Sequence, residues 1–236
     1  MLRVAIAPTR DAPQAGDGAA PGWMGDAERR RWAGLSSTAR GEFAASRALL
    51  RTLLQEATGV PAGAWHVSAE AGTAPVARPA GDDGSAGAPR ASLSHRLGWV
   101  AAAVADGPVG IDLECHRPAR GDPAERAALM LSPAELPPWQ ALPPGDRESA
   151  LLARWVAKEA WFKASPAAAA PWDFRCIVAR PCTPAHANVR VWEAPPVHVA
   201  VCCADARALA GTDCKGLDAA TVRSSFWHVH RVASAT

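Results

Sequence analysis

Two short stretches concentrate the residues that could do chemistry. Asp112 and Glu114 lie in Gly110-Ile111-Asp112-Leu113-Glu114, and Lys158, Glu159 and Lys163 lie in Trp155-Val156-Ala157-Lys158-Glu159-Ala160-Trp161-Phe162-Lys163. Side chains alternate along a strand, so Asp112 and Glu114 share one face while Ile111 and Leu113 turn to the core. Paired carboxylates repel unless a cation lies between them. Oxygen-only ligands suit Mg²⁺, with Mn²⁺ as a substitute, and Mg²⁺ completes its shell with water and phosphate oxygens. A lone Asp-x-Glu is more often only an acidic strand end. The second stretch changes that balance, because Trp155, Glu159 and Lys163 recur every fourth residue and share one helix stripe. Glu159 and Lys163 are then either a solvated pair or a third acid near a metal with a lysine near phosphate.

Ser94 and His95 end a short β-like segment from Ala91, where a hydroxyl and an imidazole could meet phosphate. A Ser-His nucleophile pair is disfavoured, since strand neighbours point apart and no Gly-x-Ser-x-Gly elbow is present. There is no P-loop and no Gly-x-Gly-x-x-Gly.

The elements that must position these residues follow from pattern. Strands are expected at Leu2–Ala7, Trp65–Ser68, Val109–Glu114, Phe174–Ala179, Val189–Trp192, Val197–Cys203 and Phe226–Val232, with Ser92–Ala105 alternating into an apolar run. Helices are expected at Asp26–Ala33 with Asp26 as cap, at Ser37–Thr58 ended by Gly59, at Glu125–Leu131, and at Arg147–Ala164 stopped by Pro166. Ser132-Pro133-Ala134-Glu135 is a helix-start signature. Pro8–Gly25, Ala71–Arg90 and Ala167–Pro171 read as loops. Asp106-Gly107-Pro108 is a hairpin turn or a boundary between lobes. Arg40, Arg47 and Arg51 share a stripe of the long first helix, whose ordinary reading is a solvated face.

Composition narrows the class. With Lys+Arg 25 against Asp+Glu 23, the net charge of +2 gives no global field for nucleic acid or an anionic membrane. No apolar run reaches the roughly 18 residues of a membrane span, and the first residues lack a signal peptide's pattern, so the expected location is the cytoplasm. The six cysteines form no Cys-x-x-Cys pair and read as reduced, buried small residues.

Together, Ser94-His95, Gly110 to Glu114 and Trp155 to Lys163 resemble the 4′-phosphopantetheinyl transferase superfamily, in its larger, two-lobed surfactin-synthetase-activating type. Each motif is weak alone; the three in this order and spacing are specific. The likeness is clear from about Glu28 to Lys163. It implies an α/β (α+β) fold of two similar lobes, 1–106 and 107–236, each a small, mainly antiparallel sheet packed with a long helix. Coenzyme A would sit in the cleft between them. It implies a holo-acyl-carrier-protein synthase type of reaction, moving phosphopantetheine from coenzyme A to a serine of an acyl or peptidyl carrier protein. Asp112, Glu114 and Glu159 would hold Mg²⁺, with Glu159 as base and Lys163 on the pyrophosphate. Arg47, and with it Arg40, Ser94, His95 and Lys158, would bind coenzyme A phosphates. A monomer is expected, with no nucleic-acid or membrane partner. The alternatives are a metal-dependent nuclease or phosphodiesterase, and a non-catalytic binder of coenzyme A or carrier.

Three departures qualify the likeness. Gly72-Thr73-Ala74-Pro75 lacks the Lys of the family's Gly-Lys-Pro, for which Arg78 or Arg90 could substitute. Ala164-Ser165-Pro166-Ala167 replaces a Gly-rich turn. Asp205–Thr236 matches no usable motif.

Overall fold

Helix formation is strongest where apolar spacing, cap and stop signals agree. In a computed structural model of the chain, describing residues 1–11, 19–68, 70, 72–81, 87–116, 122–165 and 173–232, strand β1 (Leu2–Pro8) precedes helices α1 (Asp26–Ala33) and α2 (Ser37–Thr58). The Ser36 hydroxyl caps α2, and Gly59 closes it at φ 76°. Asp26 does not cap α1: the cap is Gly25, whose N–H donates to the Glu28 carboxylate at 3.0 Å. Next come β2 (Trp65–Val67), β3 (Ala77–Pro79), β4 (Arg90–Arg96) and β5 (Trp99–Ala105). The expected 71–90 loop therefore contains a strand. Val67↔Ala77 and Trp65↔Pro79 pair across it, and Ala77 is buried in the core. Pro75 just before it and Pro79 at its end hide that pairing from local propensity.

The run 92–105 is two strands, folded at Leu97 (φ 48°) and Gly98 (φ 79°). Both residues need the left-handed region, as two-residue hairpin turns do. Thr9 donates its N–H and its hydroxyl to the Gly98 carbonyl, at 2.7 and 3.1 Å.

The following elements are β6 (Val109–Cys115), α3 (Pro123–Met130), α4 (Leu136–Gln140), α5 (Pro144–Ala164), β7 (Ile177–Pro181), β8 (Val189–Ala194), β9 (Val197–Cys203), α6 (Ala206–Ala210), β10 (Cys214–Lys215) and β11 (Arg223–Arg231). The low-complexity stretch 167–171 and the Pro166 stop lie outside the described residues. The turn at 106–108 joins strands of different sheets, so it is not a hairpin.

The chain forms two compact units, Met1–Val109 with Thr212–Leu217, and Gly110–Gly211 with Asp218–Thr236. In the first, the sheet order is β10-β1-β5-β4, antiparallel except for the β1–β10 pair. Leu50, Leu53 and Leu54 of α2 cover Ala5, Ala91, Ala102 and Val104 of that sheet. In the second, the order is β6-β9-β8-β11-β7, and α5 lays Ala153, Val156, Ala157 and Ala160 on it. Both units are thus mixed α and β, with mainly antiparallel sheets. Among the described residues, no helix is long and apolar enough to cross a membrane.

Candidate active site

The pairing of β6 with α5 depends on Gly110. A Cβ there would stand 2.0 Å from the Ala160 carbonyl oxygen, 2.6 Å from the Ala164 nitrogen and 3.0 Å from the Lys163 carbonyl carbon. With no side chain at 110, strand backbone meets helix backbone. Ile111 and Leu113 are fully buried. On the alternate face Asp112 is 6 % exposed, and Glu114 is half-buried.

Lys163 reaches across from the last turn of α5. Its ammonium donates to Asp112 Oδ1 at 2.7 Å and to the Ile111 carbonyl at 3.1 Å. Glu159, one turn earlier, is half-buried. Burial, then the charge of Asp112, pushes its carboxyl up to about 7; Lys163 opposes this and Glu114 adds to it. Asp112, Glu114, Glu159 and Lys163 therefore form one electrostatic group. Among the described residues, however, no three His, Cys, Asp or Glu side chains come together as a cation-binding cluster. On Asp112 the neutralising cation is the Lys163 ammonium.

The Glu159 carboxyl makes a stability prediction. Its folded value lies above the ordinary 4.5, so the folded chain holds this proton more tightly than the unfolded one. The resulting stabilisation is complete below 4.5 and is lost as pH rises through about 7. With chelator present, thermal stability should fall across that window by about 2 kcal/mol, after discounting for the carboxyl's exposed side. Glu159→Gln should flatten this slope in melts run from pH 4 to 8; an unchanged slope would assign the effect elsewhere.

Lys158 is placed differently from the phosphate role expected of it. It is fully buried, and its three N–H bonds go to Glu135 Oε2 (2.7 Å), the Met130 carbonyl (2.8 Å) and the Phe174 carbonyl (3.1 Å). The Glu135 carboxylate also accepts from Ser132 N at 2.8 Å and Ala179 N at 3.0 Å. The helix-start glutamate is thus a buried junction among α4, α5 and β7. With no N–H left over, Lys158 is a strut.

The other expected phosphate ligands lie in the first unit. Ser94 is buried and His95 exposed, on opposite faces of β4, so they do not converge; His95 Nε2 lies 3.7 Å from Glu42. Arg40 donates to the Trp32 and Ala33 carbonyls at 3.1 and 2.8 Å and stacks on Trp32, closing the end of α1. Arg78 and Arg90 are exposed. Arg47 is 7 % exposed and Arg51 2 %, so this part of the arginine stripe is no solvated face. Arg51 pairs with buried Glu28, whereas Arg47 Nε and Nη1 have no hydrogen-bond partner among the described residues.

Sequence reasoning missed Gly110 as a contact point, Glu28 as the partner of Arg51, and Glu135 as the partner of Lys158. The first had a signal, a glycine inside a strand pattern. Each glutamate had a weaker one, its position three residues after a helix-start residue.

No match to a curated protein was found. Residues 108–200, which hold Asp112, Glu114, Glu159 and Lys163, match the sequence profile of the 4′-phosphopantetheinyl transferase superfamily. Over that segment, somewhat less than half of its length, the chain is thus similar to a superfamily of transferases.

Proposed function

We propose that the protein transfers the 4′-phosphopantetheine group of coenzyme A to a serine hydroxyl of an acyl or peptidyl carrier protein, releasing 3′,5′-ADP. The observation that carries this reading is Glu159, a half-buried carboxyl at about 7 coupled to Asp112, Lys163 and Glu114 within the matched segment. A group that titrates near neutrality can accept a hydroxyl proton at working pH. The serine oxygen attacks the phosphorus that bears pantetheine, its proton passes to Glu159, and the bond to the 3′,5′-ADP oxygen breaks. The Lys163 ammonium offsets charge that develops on the departing phosphate.

Asp112, Glu114 and Glu159 offer only oxygen donors, and their mutual repulsion is what a hard divalent cation relieves. By resemblance they would hold Mg²⁺, or Mn²⁺ in its place, once drawn closer than they stand beside the Lys163 ammonium, and the cation would neutralise pyrophosphate charge. Arg47 is the proposed ligand of the coenzyme A 3′-phosphate, because its buried Nε and Nη1 have no acceptor among the described residues and an anion would supply one. By resemblance the enzyme is of the two-lobed surfactin-synthetase-activating type, a cytoplasmic monomer serving carriers of fatty-acid, polyketide or nonribosomal-peptide assembly.

The test mixes protein, Mg²⁺, coenzyme A and a panel of apo-carriers, and reads intact mass. A phosphopantetheine adduct on at least one carrier is expected; none from folded protein on any carrier overturns the reading. Asp112→Ala should slow adduct formation on the order of a thousandfold while leaving the melting curve close to wild type. Undiminished transfer would remove Asp112 from the site.

A further inference from the structure

Where α1 meets α2, one carboxylate lies between two buried guanidiniums. Glu28 is fully buried, Arg51 and Arg47 nearly so, and Arg31 lies close enough for its charge to act on Arg47. Both Glu28 oxygens are engaged by Arg51: Oε1 accepts from Nη1 at 2.9 Å and Oε2 from Nη2 at 2.6 Å. Oε2 also accepts from Gly25 N at 3.0 Å, and Arg51 Nη2 donates to the Trp65 carbonyl at 3.1 Å. Trp23 stacks on Arg51 at 4.8 Å. Arg51 is thereby neutralised and fixed on several sides. Arg47 is not: its Nε approaches Glu28 Oε1 only to 3.9 Å, and its main neighbour is the Phe43 ring at 4.9 Å.

Buried charges are ordinarily paired, because stranding one costs several kcal/mol. Here a single carboxylate could have paired with either arginine, and the fork-to-fork geometry gives it to Arg51. We infer that Glu28 is a positioning residue for an anion site. By holding Arg51 in a bidentate pair, it leaves the Arg47 guanidinium as the uncompensated donor for a phosphate monoester. This rests on the reading of Arg47 as the 3′-phosphate ligand and extends it to residues that never touch the nucleotide. A second observation agrees. Arg47 is pulled down to about 10, first by burial, with Arg51 and Arg31 adding and Glu28 opposing, as expected of a buried cation crowded by others.

The pairing makes a prediction that a simple field effect does not. If Glu28 and Arg51 acted only through net charge, Glu28→Gln would strengthen phosphate binding and Arg51→Gln would weaken it. If Glu28 allots its charge between the two arginines, both variants weaken it. Arg51→Gln frees Glu28 to close on Arg47 and occupy its donors, and Glu28→Gln leaves Arg51 uncompensated beside Arg47. The double variant Glu28→Gln/Arg51→Gln removes both charges, keeps a side-chain amide pair, and returns Arg47 to its lone state.

Calorimetry with coenzyme A and with 3′-dephospho-coenzyme A reads this as a ratio of affinities and needs no carrier protein. The wild type should favour coenzyme A, Arg47→Met should erase the preference, each single Gln variant should cut it at least about tenfold, and the double variant should restore most of it. A wild type without preference, or an Arg47→Met protein that keeps it, overturns the Arg47 reading and this inference with it. A preference that Arg47→Met erases but Arg51→Gln leaves intact overturns the inference alone. A gain in Glu28→Gln, the field-effect result, also overturns it, as does equal weakening of both ligands with no rescue in the double variant, which a merely structural pair would give. Should Glu28→Gln not fold, Glu28→Asp decides: it keeps the charge but cannot fork onto Arg51, so the inference expects a lowered ratio, and an unchanged one overturns it.

Discussion

Gly110→Ala should abolish phosphopantetheine transfer and lower the melting temperature by about 10 °C or more. The added methyl would overlap the Ala160 carbonyl oxygen, the Ala164 nitrogen and the Lys163 carbonyl carbon, and all three are backbone atoms of α5. No rotamer change relieves such a clash; β6 must move off the helix. That motion separates Asp112 and Glu114 from Glu159 and Lys163, which belong to the two elements being parted. Activity should fall even in whatever fraction stays folded. Thermal melts and the carrier mass assay check both halves. A Gly110→Ala protein with wild-type melting and transfer would show that the close approach is dispensable.

Lys158→Met should be the most destabilising change on α5 that spares the acids. It removes the ammonium that satisfies Glu135 and two carbonyls, leaving a buried carboxylate without its cation. Breaking such a pair costs about 3–5 kcal/mol, or on the order of 10 °C in melting temperature for a chain of this size. Adding Glu135→Gln should recover part of the loss, because the amide is neutral and its oxygen can still accept from Ser132 N or Ala179 N. A phosphate-binding lysine would behave differently: Lys158→Met would then melt normally and show a raised KM for coenzyme A. Denaturant melts with coenzyme A titrations separate the two.

The two lysines of the second stretch show what sequence could and could not reveal. Lys158 and Lys163 look alike in the motif, and both were expected near phosphate. Helix geometry turns Lys163 toward β6 and Lys158 into the α4–β7 junction, a distinction set by tertiary partners far along the chain. The pairing of Asp112 with Glu114, the alignment of Glu159 with Lys163, and the extents of α1 and α2 were legible, since they depend on local periodicity and caps. The β3 strand was not, because its ladder is supplied by Trp65 and Val67 rather than by its own proline-flanked residues. Burial of Arg47 and Arg51 was also hidden: their stripe looks like any charged helix face until α1 and Glu28 cover it. The Ser94-His95 pair reads as one motif, yet strand alternation sends its members to opposite faces.

The route of the chain after α6 separates a stretch that defines chemistry from one that can stand alone. After α6, residues 212–217 lay β10 along β1, with Lys215 bonded to Glu56 and Gly216 packed where a Cβ would meet the Ile6 carbonyl oxygen at 2.1 Å. The chain then inserts β11 between β8 and β7. A gene fragment trimmed to the matched residues 108–200 would encode every candidate catalytic side chain. It would also leave β7 with no neighbouring strand and truncate β9. Swapping this segment between relatives to retune specificity therefore requires carrying the tail along with it.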